Sequence, residues 1–99
     1  MKDISFCYTL PMFRMWVKMK KDNHLLADTV VENAGEARRT EKVLSGLEEA
    51  CRRLDLSVPI WLETNIREFQ RISKTRFRAD SFIEPIDFDF LEIHMIEED

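Results

Sequence analysis

The chain predicts an α+β fold: an antiparallel sheet of about four strands, with one long and one short helix packed on one face, in the order β-β-β-α-α-β. Three observations predict it. Apolar and polar residues alternate with period two over residues 3–10, 12–20 and 24–32. Apolar residues recur every three or four positions over 33–54. The stretch 87–96 is dense in Phe and Ile and lacks glycine or a helix cap, which suits a strand.

In the first strand Ile4, Phe6, Tyr8 and Leu10 point one way, and Asp3, Ser5, Cys7 and Thr9 the other. Pro11 cannot donate to a ladder and marks an edge position, a bulge or a break before the next strand. Phe13, Met15, Val17 and Met19 then share a face opposite Arg14, Trp16, Lys18 and Lys20. Lys21-Asp22-Asn23 closes a hairpin, with Asn23 left-handed. A three-residue closure pairs Met19 with Leu25, Val17 with Ala27, Met15 with Thr29 and Phe13 with Val31. A two-residue closure would oppose Val17 to Asp28 and Phe13 to Glu32, so burial favours the longer loop.

The central helix is expected over 33–54. Asn33 and Glu36 have capping-box spacing, with Thr40 as the alternative start. Ala37, Val43, Leu44, Leu47, Cys51 and Leu54 form the dry stripe, and the pairs Glu48/Arg52 and Glu49/Arg53 lie outside it. Gly46 sits either against a neighbouring backbone or on the solvated side, since glycine costs about 1 kcal/mol relative to Ala in a helix interior. Residues 58–62 read as a buried extended segment. Thr64 caps a shorter helix with Ile66, Phe69 and Ile72 inward and Arg67, Arg71 and Lys74 in an outer row. Residues 75–86 are expected as a long ordered loop, with Phe77, Phe82 and Ile83 tucked in, although residues 76–78 would also begin a strand. The last strand, 87–96, is placed beside the first, and its change of phase between Phe90 and Leu91 suggests either a bulge or burial on both faces.

Ninety-nine residues with 44% apolar and 34% charged content describe one domain over 1–99, large enough for a core without a metal or disulfide staple. Met1-Lys2-Asp3-Ile4 lacks the apolar run of a signal peptide, and no apolar run approaches the ~20 residues that span a bilayer. A cytoplasmic location and no membrane partner follow. The net charge of −4 is unevenly spread. Residues 1–78 hold all 15 Lys and Arg against 11 acids, whereas residues 79–99 hold 8 acids and no base.

Chemistry-bearing residues are few. Cys7 and Cys51 are too far apart for a metal pattern and read as small buried hydrophobes. His24 lies beside the turn and His94 in the last strand, each without a catalytic motif. The two glycines, Gly35 and Gly46, form no phosphate loop. Glu84, Asp87, Asp89, Glu92 and Glu97 read as a solvated acidic edge rather than as metal ligands, with Asp87 and Asp89 sharing one face of a strand. No enzyme activity, cofactor or metal is therefore expected.

Two surfaces remain. Arg14, Trp16, Lys18, Leu26, Asp28 and Val30 form a half-polar face whose apolar strip would be covered by another element of the fold or by another protein chain, most simply a second copy in a homodimer. The alternative partner is single-stranded nucleic acid, stacked on Trp16 between Arg14 and Lys18, with Arg67, Arg71, Lys74, Arg76 and Arg78 as a second basic patch. The overall acidity ranks nucleic acid behind protein. The basic row and the acidic end are opposite in sign and suit either an intramolecular or an intermolecular contact.

Overall fold

Asp22 and Asn23 both take positive φ, 51° and 67°, and so close a two-residue hairpin turn of the primed type. They join β1 (Phe13–Lys21) to β2 (His24–Asn33) in a computed structural model that describes residues 13–33, 35 and 37–97, the last by its backbone alone. The alternating stretch 3–10 lies outside the described residues. The turn pairs Lys21 with His24 and Lys20 with Leu25, and a bulge between Met19 and Lys20 then shifts the register by one. Beyond it Met19 faces Ala27, Val17 faces Thr29, Met15 faces Val31 and Phe13 faces Asn33. The expected three-residue closure is therefore replaced. A short turn alone would have set core residues opposite charged ones, and the inserted residue restores the match of faces with β2 slid two positions along.

The long helix α1 spans Arg39–Leu54. It starts later than expected because Asn33 remains in β2 and its Oδ1 accepts the Gly35 N–H at 2.7 Å, a local turn that competes with capping. The working cap is reciprocal to the usual one: the Glu41 carboxylate accepts the backbone N–H of Arg38 at 3.1 Å. Val43, Leu47, Ala50 and Cys51 are buried, whereas Ala37 precedes the helix and Leu44 is 45% exposed. Gly46 does meet the sheet, through side chains rather than backbone: a Cβ there would lie 3.0 Å from Val31 Cγ2 and 3.4 Å from Met15 Cε. Of the expected outer pairs Glu49/Arg53 forms, whereas Arg52 turns to Glu49 rather than to Glu48. Arg52 and Arg53 both bond Glu49, Arg53 at 3.0 Å, and chiefly this Arg53 hydrogen bond lowers the Glu49 carboxyl below its ordinary value. Left-handed Asp55 (φ 59°) ends the helix, and Leu56 N–H returns to the Cys51 carbonyl at 2.8 Å.

The second helix, α2, runs Glu63–Ile72, one residue ahead of Thr64. Asn65, not Thr64, completes its start by accepting the Leu62 N–H at 3.0 Å. Of the residues expected inward only Phe69 is buried; Ile66 and Ile72 are each 44% exposed, because buried Asn65 occupies the side turned to the sheet. Ser73 (φ 58°) ends α2 and leads directly into β3, Lys74–Phe77, where a loop was expected. A 3-10 turn at Ala79–Ser81 and an irregular stretch follow, with Phe82 and Phe88 packed edge to face at 5.9 Å. Ile83, expected to be tucked in, is 86% exposed.

The last strand, β4, covers Phe90–Glu97. The sheet order is β2-β1-β4-β3, and all three pairings are antiparallel. β4 thus sits between β1 and β3, which accounts for its double burial: Leu91, Ile93 and Met95 face the helices while Glu92, pointing the other way, is only 4% exposed. Phe90 is out of phase with Leu91, Ile93 and Met95 because it points to the other face, and Phe88 precedes the strand. Both helices cover the face bearing Phe13, Met15, Val17, Thr75, Phe77, Leu91 and Ile93, and the core cluster lies between them and the sheet.

Candidate interaction face of the sheet

Residues of even number on β1 point away from the helices, and the register lines them up with neighbours on every strand. One row reads Asp28, Lys18, Glu92, Arg76 across β2, β1, β4 and β3. The next reads Val30, Trp16, His94, Lys74, and a third places Leu25 and Phe90 on either side of Lys20. Among the described residues no helix or strand covers this face.

The rows are locked from within. Glu92 Oε1 lies 3.3 Å from Lys18 Nζ and Glu92 Oε2 lies 3.6 Å from Arg76 Nε, so each carboxylate oxygen takes a cation from a flanking strand. A carboxylate this buried is tolerated only with such compensation. Trp16 is held on two sides: its indole N–H donates to Asp28 Oδ2 at 2.8 Å, and Lys18 Nζ stands 4.1 Å from the ring centroid. Arg14 pairs with Glu32 at 3.1 Å. Arg76 and Arg78 lie over the Phe90 ring at 4.5 Å and 5.5 Å.

Arg14, Trp16, Lys18, Asp28 and Val30 therefore share one face, as the alternation of β1 implied. Asp28 stands opposite Lys18 and reaches the Trp16 indole diagonally. Leu26 stands at the hairpin bulge, 51% exposed beside Leu25 at 48%. The basic group divides. Arg67 and Arg71 stay on the outside of α2, Arg67 paired with Glu63 at 3.2 Å, whereas Lys74 and Arg76 join the Trp16 face and Arg78 reaches it through Phe90. Glu92, His94 and Phe90 belong to the site and were not singled out for it. Their alternation in β4 was visible in the sequence, but their company depends on β4 lying beside β1.

Asp87 and Asp89 precede β4 and so do not share a strand face; Asp89 instead accepts the Asp22 N–H at 2.9 Å and ties the hairpin turn to this loop. Among the described residues no three His, Cys, Asp or Glu converge as metal ligands. Cys51 is fully buried, and burial pushes its thiol up from 9.0 to about 11, away from nucleophilic use; Cys7 lies outside the described residues. Among those residues no helix is long and apolar enough to cross a membrane. Comparison with protein families, with curated proteins and with solved structures finds no match.

Proposed function

We propose that the protein is a small binding and assembly module that pairs with a second copy of itself through the helix-free face of its sheet. The observation that carries this reading is the row Asp28, Lys18, Glu92, Arg76, whose charge alternates in sign from one edge of the sheet to the other. A twofold axis parallel to the strands turns that row end for end, so negative faces positive throughout. An axis along the row would set like against like. The favoured operation also lays Trp16 against His94 of the other copy and keeps the two strand directions nearly aligned, as in face-to-face sheets. Half-buried Trp16, Val30 and Phe90 supply the apolar part of the contact. A cytosolic setting belongs to this reading and suits a buried free thiol at Cys51.

Single-stranded nucleic acid is the second reading. It is favoured by Lys74, Arg76 and Arg78, which stand at every second position, Arg76 and Arg78 over the Phe90 ring. It ranks second because the chain as a whole is acidic, with a net charge of −4. Sedimentation velocity across a hundredfold range of concentration tests the first reading. The wild type should pass from monomer to dimer, and Trp16→Ala, with unchanged helix content, should remain monomeric. A wild type that is monomeric throughout, or a variant that dimerises equally well, overturns it. Salt-sensitive quenching of Trp16 emission by oligonucleotides tests the second, and its absence at low salt removes it.

A further inference from the structure

The helix layer has a feature that the sheet face does not explain. The apolar stripes of both helices are wider than the surface they bury: Leu44 on α1 keeps the period of Val43 and Leu47, and Ile66 on α2 keeps that of Phe69, yet they are 45% and 44% exposed. These two side chains line opposite walls of a groove between α1 and α2. Val43, Trp61 and Phe69 form its apolar floor, and its volume is about 370 Å³. Clefts of that size with apolar walls and one or two fixed polar groups are where small ligands bind.

One cation stands at the groove. Arg39 is exposed, but lies 5.1 Å from the centroid of the Phe69 ring and donates from Nη2 to Ser73 Oγ at 3.4 Å, which places its guanidinium beside the groove wall. As the first residue of α1, it opposes the helix dipole, which favours acids there. An apolar slot with a guanidinium at its wall matches a molecule with an apolar body and one anionic end.

We infer that the groove between α1 and α2 binds a small amphiphilic carboxylate, its chain along Leu44, Val43, Trp61 and Ile66 and its carboxylate at Arg39. This site is separate from the sheet face and does not depend on dimerisation.

Decanoate and decanol are suitable probes because they share a chain and differ in the charged end. With Trp16→Phe as the background, Trp61 is the sole indole and reports the groove directly. Decanoate should change Trp61 emission saturably at one equivalent per chain. Arg39→Gln should weaken decanoate about tenfold while leaving decanol unchanged, the ~1.4 kcal/mol that one such contact supplies. Leu44→Asp, at an exposed position that the fold tolerates, should weaken both. No saturable change, uptake of many equivalents, or affinities indifferent to Arg39→Gln and Leu44→Asp would each overturn the assignment.

Discussion

The two halves of the molecule are held together by different physics. In the β1–β2 half, α1 lies on the sheet through apolar contact: Val43, Leu47, Ala50 and Cys51 meet Phe13, Met15 and Val31, with Gly46 allowing close approach. In the β3–β4 half, α2 is fastened by a buried polar network beneath aromatic rings. Asn65 Nδ2 donates to Thr75 Oγ1 at 3.0 Å and to the Arg76 carbonyl at 2.9 Å, and the Thr75 hydroxyl donates to Glu68 at 2.8 Å. Trp61 stands edge-on to Phe69 and Phe77 at 5.6 Å and 5.0 Å. Each helix also sends one side chain to a carbonyl of an outer strand, Arg53 to Val30 at 2.9 Å and Asn65 to Arg76. The first donor is 45% exposed and replaceable by water; the second is buried and is not. A four-residue strand such as β3 survives at a sheet edge because a specific amide holds it, whereas the ten-residue β2 needs only area.

The sharpest break of that contrast is in the apolar half. Leu47, 1% exposed, should cost about 2–5 kcal/mol as Leu47→Ala, through lost transfer energy and a residual cavity. Chemical denaturation should show this as a lower midpoint with an unchanged slope. In the polar half the expected loss is smaller and of another kind. Asn65→Ala removes no large apolar volume but strands the Leu62 N–H and the Arg76 carbonyl, at about 1–3 kcal/mol. Hydrogen exchange should show that loss concentrated in α2 and β3, with α1 and β2 little affected. If protection falls evenly across the chain, the halves are not distinct.

The smallest effect concerns Cys51, buried in the apolar half. Its raised pKa means that the folded state holds the proton more tightly than the unfolded one. Any stability from this source is full below about 9 and is lost as pH rises towards 11. At neutral pH none is lost. In a Cys7→Ser background, a thiol reagent should therefore label Cys51 only as fast as the protein opens; rapid labelling of the folded protein would mean that α1 is not sealed.

The same contrast decides what was legible in the sequence. β1, β2 and α1 announce themselves because area-driven elements repeat with a period, and the fold class followed from them. β3 did not, because Lys74, Thr75, Arg76 and Phe77 owe their pairing to Asn65, ten residues away from Thr75 and on another element. The hairpin register was missed because a favourable two-residue turn and the correct facing of Val17 and Met15 were reconciled by a bulge that no local pattern displays. The candidate face was half legible for a related reason: Arg14, Trp16, Lys18, Asp28 and Val30 share it by alternation, whereas Glu92, His94, Phe90, Lys74 and Arg76 join only once β4 is placed between β1 and β3.

The most direct test of the claim that the sheet's helix-free side is where copies of this chain meet is hydroxyl-radical footprinting of the two tryptophans as a function of protein concentration. Trp16 should be oxidised readily when dilute and become protected as the concentration rises, while Trp61, on the helix side, reacts at a constant rate. A Trp16 rate that is independent of concentration, or a Trp61 rate that falls in step with it, would contradict the account.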